Sequence, residues 1–192
     1  MTGYRILPVT RLQGRFWAKL RAFMFRQDCN SPMSIQIFTT GGTFDKVYYD
    51  ALSEFSIGEP MAEPLLADAG VNFDYQVTSL LKKDSLEFTD TDRALLAEQV
   101  RHASANKILI IHGTDTMTLS ASALGEVADK TVVFTGAMQP ARMLHSDAPF
   151  NLGFALGALQ CLPVGVYLAM NGQIFNAGHV QKNRAAGRFE SL

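Results

Sequence analysis

Two cysteines in 192 residues, Cys29 and Cys161, are too few and too far apart to suggest a disulfide framework or a zinc site. That scarcity fits a reducing compartment, and a cytoplasmic location is expected. No run of about 18 or more apolar residues occurs, so nothing is expected to span a bilayer. Neither sign of charge prevails: 17 basic against 18 acidic residues leave a net charge of −1, which argues against a general nucleic-acid or membrane-surface binder. Several familiar sites are absent as well. There is no G-x-G-x-x-G after the first strand pattern and no G-x-x-x-x-G-K-[ST] loop, so neither a dinucleotide nor a cradled phosphate is expected. There is no G-x-S-x-G elbow for a hydrolase serine. The four histidines, His102, His112, His145 and His179, lack metal-ligand spacing, and neither metal nor cofactor is expected. His102 reads as part of a solvated helix face and His112 as the end of a buried strand. What is present is 47% hydrophobic residues with 18% charged, enough for one folded domain of roughly 70% surface burial.

Charge is distributed unevenly along the chain. Residues 1–32 carry six basic side chains against the single acid Asp28, a balance of +5 that leaves −6 for the remainder. The segment lacks the apolar core and the small-residue cleavage site of a secretory signal. Trp17, Leu20, Phe23 and Met24 recur at helical spacing and suit one short amphipathic helix, or a basic arm for anionic surfaces. Met33 stands directly before the first strand pattern, so the segment also reads as an upstream extension. The fold argument starts at residue 33.

From there short apolar runs alternate with longer amphipathic ones. Strands are expected at 34–40, 73–81, 107–112, 131–135 and 164–170, with a short edge strand at 173–175. Helices are expected at 60–69, ended by Gly70, at 89–105 with Thr89 or Asp90 as cap and Leu95, Leu96 and Val100 on one face, at 115–129 and at 150–161. Ser146 and Asp147 read as caps for the last of these. Alternation of this kind predicts a doubly wound, Rossmann-like α/β domain, a parallel sheet with helices on both faces. Ligands bind such sheets at the carboxyl ends of the strands, and the polar residues gather there: Gly41-Gly42-Thr43, Lys82-Lys83-Asp84-Ser85, Gly113-Thr114-Asp115-Thr116, Gly136-Ala137-Met138-Gln139 and Asn171-Gly172.

The chemistry this edge offers is that of threonine. A threonine hydroxyl is a poor nucleophile until a neighbouring group takes up its proton. Thr114 beside Asp115 supplies a hydroxyl and a carboxylate; Thr43 supplies a second hydroxyl after two glycines that let backbone approach a ligand. The same residues also read as a turn and two helix caps. Met138 and Gln139 read as loop packing and backbone support, and Lys182, by itself, as a tail lysine. Spacing alone does not separate these readings.

The runs TTGGTFDK, HGTDTM and GAMQPARMLHSDAPFN, followed by the tail MNGQIFNAGHVQKNRAAGRF, resemble the bacterial L-asparaginase (asparaginase/glutaminase) family in its N-terminal catalytic domain, across about residues 35–189. The resemblance implies hydrolysis of the side-chain amide of asparagine, or of a related small amide, to the acid and ammonia. It makes Thr43 the nucleophile and Thr114, Asp115 and Lys182 a second catalytic group. It gives Asp115 the substrate ammonium and Ser85 the substrate carboxylate, with Gly42 and Gly113 lining the same site. Two positions depart from the family's pattern. Phe55 stands where a loop tyrosine is usual, with Tyr48 and Tyr49 nearby, and Leu86 stands where a glutamine follows the substrate serine. Family enzymes also carry a second domain that completes a neighbouring subunit's site. With the chain ending at Leu192, residues 33–192 are expected to be the catalytic domain alone, open enough to favour a homo-oligomer. An amino-acid-binding module with weak catalysis, and an amidase for a larger amide, are the alternatives.

Overall fold

The β-branched and aromatic run SIQIFTTG forms β1 (Ser34–Gly41), the strand from which the rest of the sheet is laid out. The structure, a computed structural model, describes residues 34–49 and 54–192. These lie in a compact unit spanning Met33–Leu192. The readings of the first 32 residues, including Cys29 and the helix around Trp17, fall outside the described residues.

After β1 come a hairpin of β2 (Lys46–Tyr49) and β3 (Glu54–Ile57), then α1 (Ala62–Asp68) and β4 (Asp74–Lys83). The alternation continues through α2 (Asp90–His102), β5 (Lys107–Ile111), α3 (Met117–Ala123), β6 (Thr131–Thr135), α4 (Ala148–Cys161) and β7 (Gly165–Met170). The short strands β8 (Gln173–Asn176), β9 (Val180–Asn183) and β10 (Arg188–Ser191) complete the chain. The central sheet has the order β4-β1-β5-β6-β7-β8. Its first five strands are parallel, and β8 runs antiparallel along the β7 edge. Because β4 lies on one side of β1 and β5 on the other, the strand order reverses at β1. The crevice this leaves beyond the carboxyl ends of β1 and β5 is where such sheets bind ligands.

Alternate side chains of the central strands feed two cores. Ile35, Ile37, Leu109, Ile111 and Val133 pack under α1 and α4, while Ile108, Ile110, Val132, Phe134 and Leu168 pack under α2 and α3. Strands covered on both faces read as continuous apolar runs, which is why β5 and β6 were legible from KILII and TVVFT. The α2 start is a capping box. Thr89 and Asp92 exchange side-chain-to-backbone bonds, and Lys83 at the end of β4 reaches Asp92 at 2.9 Å. The Thr89 N–H and Lys83 hold the Asp92 carboxyl down at about 2.

Four expectations are corrected. Leu95 is exposed and the buried α2 face is Leu96, Ala97 and Val100, one step further round the helix. The helix expected over 115–129 is α3, confined to Met117–Ala123 and followed by Gly125 at φ +64°. Asp147 holds the N-cap position of α4 without capping it, because its carboxylate is turned to the loop after β6; Ser146 Oγ accepts from the Ala148 N–H instead. Lys82 and Lys83, expected in the loop after the second strand, are its last two residues. The two hairpins, β2–β3 and β9–β10, were not anticipated.

Candidate active site

Two loops meet at the switch point with no side chain between them. A Cβ on Gly42 would stand 2.5 Å from the Gly113 Cα, and one on Gly113 would stand 2.6 Å from the Ser85 Oγ. Gly42 also holds φ +74°, which L side chains adopt only under strain. Glycine at both positions lets the β1, β4 and β5 loops close to main-chain contact. It brings Thr43, Thr114 and Ser85, each adjacent to or touching one of these glycines, to one place. Thr116, placed at this edge by the sequence but given no role there, fastens the assembly: its hydroxyl donates to the Ser85 carbonyl at 2.6 Å.

Lys182 arrives from the other side. In the β9–β10 hairpin, Val180 and Lys182 share a face and Phe189 pairs directly opposite Lys182. Val180 and Phe189 are buried in the α2/α3-side core, so the hairpin is anchored by its apolar pair and the lysine between them is turned inward. Its Nζ donates to Thr114 Oγ1 at 2.7 Å and to Asp115 Oδ1 at 3.0 Å. Thr114 is 4% exposed and the Lys182 side chain 14%, so this contact is screened little by water. A donor held on Thr114 Oγ1 stabilises negative charge developing on that oxygen. The Arg184 Nε lies 3.5 Å from the same Asp115 oxygen. Asp115 Oδ2 has no partner among the described residues, which leaves one carboxylate oxygen for the ammonium of a ligand.

Thr43 differs. It begins a single 3-10 turn (Thr43–Asp45), and its hydroxyl has no hydrogen-bond partner among the described residues. It lines a hollow of about 450 Å³ with Lys46, Phe55, Met138, Gln139, Pro140 and Met143. The turn is well held from behind: the Phe44 carbonyl accepts from the Ala141 N–H at 3.0 Å, and Asp45 Oδ1 accepts from the Met61 N–H at 2.9 Å. Burial pushes the Asp45 carboxyl up to about 6. Lys46 ties the β2–β3 hairpin to the Ser85 loop through Asp84 at 2.8 Å. Burial pushes Asp84 up, but the Lys46 bond and the Leu86 N–H outweigh it and hold its carboxyl below the ordinary range.

The loop after β6 is fixed by a polar network that no sequence pattern announces. The Asp147 carboxylate accepts from the Met138 and Gln139 N–H groups at 3.0 Å. Fully buried Asn151 donates to Asp147 and to the Gly136 carbonyl and accepts from the Asn171 N–H, joining three loops. His112 is buried against Phe88 and Phe134, with Nδ1 2.8 Å from the Gly113 carbonyl; burial takes it down to about 4 and keeps it neutral. A larger hollow, about 590 Å³, lies at the opposite end of the strands, near Gly165 and His179, away from the threonines. No group of three or more His, Cys, Asp or Glu side chains among the described residues is arranged to hold a metal ion.

The fold and the cluster together define a doubly wound α/β domain with two threonines, an acid and a lysine at its switch point. The family described as Asparaginase, N-terminal, matches residues 34–191, and the chain belongs to it. It is 37% identical over 111 residues to a glutaminase-asparaginase of Acinetobacter glutaminasificans, a match covering 53% of this chain and 34% of that one. It is 30% identical over 176 residues to an L-asparaginase of Thermococcus kodakarensis, covering 83% of this chain and 51% of that one. The solved thermostable enzyme from that organism superposes with TM-score 0.73 at 28% identity, over 83% of this chain and 51% of that one. L-asparaginase I of Vibrio cholerae gives TM-score 0.74 at 27% identity, over 84% and 52%. The chain thus spans between a third and about half of the length of these relatives.

Proposed function

We propose that residues 33–192 form a catalytic domain that hydrolyses the side-chain amide of asparagine, or of a related small amide, with Thr43 as nucleophile. The observation that carries this reading is the placement of Lys182 Nζ at 2.7 Å from Thr114 Oγ1 and 3.0 Å from Asp115, in a crevice where Gly42, the residue before Thr43, packs against Gly113, the residue before Thr114. Such a cluster has little purpose as a cap, since it unites side chains from three separate crossings. Asp115 Oδ2 takes the substrate ammonium, and Ser85 takes its carboxylate. Thr43 Oγ attacks the amide carbon while backbone N–H groups beside Gly42 and Gly113 polarise the carbonyl; the carbon–nitrogen bond breaks, ammonia leaves with the hydroxyl's proton, and water then cleaves the ester and returns a proton to Thr43. The relatives named above as asparaginases support the substrate class.

Phe55 favours a second reading, a module that binds an amino acid and turns it over weakly, because a phenyl ring cannot carry a proton from Thr43. An ammonia-release assay on purified chain separates the two. Hydrolysis should appear with L-asparagine and fall at least about 10³-fold in both Thr43→Ala and Thr114→Ala. Thermal stabilisation by asparagine without ammonia would establish the binding module instead. Self-association and a cytoplasmic location belong to the same proposal. Exposed Tyr48, Phe55 and Leu86 on the rim of the crevice support the former. Among the described residues no helix is long and apolar enough to cross a membrane.

A further inference from the structure

We propose that the hollow beside Thr43 is a leaving-group subsite for an apolar amine, so that the chain cleaves N-substituted side-chain amides of aspartate in preference to the primary amide. The inference rests on the reading of Thr43 as nucleophile and adds the identity of what departs.

The crevice has two ends of different chemistry. Ser85 and Asp115, the groups suited to a zwitterionic amino acid, do not line the hollow. Thr43 does, so a substrate whose α-carbon lies at Ser85 and Asp115 directs its amide past Thr43 and into this space. The departing NH₂ of a primary amide needs roughly the 30 Å³ of a water molecule, whereas the hollow holds about 450 Å³. Beside Thr43 its lining is four apolar side chains, Phe55, Met138, Pro140 and Met143, with Phe55 48% and Met143 42% exposed, and two polar ones, Gln139 and Lys46, the latter already paired with Asp84. Four apolar side chains gathered at a reactive hydroxyl and open to water suit an apolar group better than they suit ammonia.

The hollow is built to keep its shape. One wall is pinned by Asp147 on the Met138 and Gln139 N–H groups and by the Ala141 N–H on Phe44, the other by Lys46 on Asp84. In the reaction, Thr43 Oγ bonds to the amide carbon and the carbon–nitrogen bond breaks. The amine departs as R–NH₂, carrying the proton the hydroxyl gave up. Water then adds OH to the acyl carbon and returns a proton to Thr43, so the products are aspartate and a primary amine.

The test is a series of L-aspartate β-amides bearing hydrogen, methyl, butyl and phenyl on nitrogen. Amine and aspartate release are followed for the parent chain, Met143→Asp and Met143→Ala. For the parent, kcat/KM should rise about three- to fourfold per added methylene. The ratio of anilide to asparagine kcat/KM should fall about tenfold in Met143→Asp and about threefold in Met143→Ala, whose side chain is exposed enough for truncation to spare the fold. Asparagine turnover with rejection of every N-substituted amide would overturn the subsite and leave the primary-amide reading standing. Turnover of none of the series would overturn both. An unchanged ratio, with Met143→Asp dissociating an oligomer in light scattering, would assign the hollow to a second copy of the chain and overturn the proposal.

Discussion

Thr43 and Thr114 each follow one of two touching glycines, yet their surroundings are opposite. Thr114 is buried, with Lys182 at 2.7 Å on its oxygen. Thr43 has no hydrogen-bond partner among the described residues and opens onto a hollow lined by Phe55, Met138, Pro140 and Met143 together with Lys46 and Gln139. One hydroxyl is spent within the protein and the other is left available. A group committed to a buried contact stabilises the fold, whereas one left free is available to a ligand, so the contrast supports the proposed division, with Thr43 attacking and Thr114 supporting.

The largest effects that would break this contrast are on turnover and stability together. Lys182→Met should lower ammonia release at least about 10²-fold and shift the urea midpoint. Thr114→Ala should cost about 1–2 kcal/mol, since it leaves the buried Nζ short of an acceptor. Thr43→Ala, for all its effect on turnover, should move stability by less than about 0.5 kcal/mol. Equal destabilisation by the two alanines in chemical unfolding would refute the division.

The glycines sharpen the comparison at somewhat smaller cost to activity. Gly42→Ala meets Gly113 main chain at 2.5 Å and a positive φ, so it should destabilise by about 3 kcal/mol or more. Gly113→Ala meets the Ser85 side chain, and the double variant Gly113→Ala, Ser85→Gly should recover most of its loss in a thermal melt. No such partner exists for Gly42.

Smallest in their effect on turnover, and opposite in sign, are the two buried titrating groups, Asp45 two residues after Thr43 and His112 two residues before Thr114. His112, taken from 6.5 down to about 4, contributes stability that is full above pH 6.5 and lost as pH falls toward 4, about 3 kcal/mol in all. Asp45, pushed from 3.8 up to about 6, is most favourable below pH 3.8 and loses its contribution as pH rises through 6. Asp45→Asn should therefore stabilise the chain at pH 7, with little effect at pH 4, and make its acid loss steeper. Unfolding midpoints at the two pH values measure both slopes.

Much of this architecture was legible in the sequence because burial on both sheet faces leaves continuous runs such as KILII and TVVFT, and because Thr89 or Asp90 stands as a cap before an amphipathic run; that the cap is Thr89, in a box with Asp92, came from the structure. The glycine-hydroxyl loops at the strand ends marked one edge of the sheet, and motif resemblance joined Lys182 to Thr114. The hairpins escaped notice for a physical reason. In VQKN and RFES only Val180 and Phe189 are buried, too few for a period-of-two pattern to register. The Asp147–Asn151 network escaped for another. Asn151 sits in an almost wholly apolar helix, and its three partners lie in loops brought together only by the fold.

The touching glycines have a bearing on how this site withstands mutational drift. Where two hydroxyls are spaced by packed side chains, each change in the packing resets the gap between them. Here the gap is fixed by one backbone resting on another, so core residues can be exchanged over long lineages while the reactive groups keep their separation. A shared fold at 28% and 27% identity, with TM-scores of 0.73 and 0.74, is compatible with such a main-chain gauge.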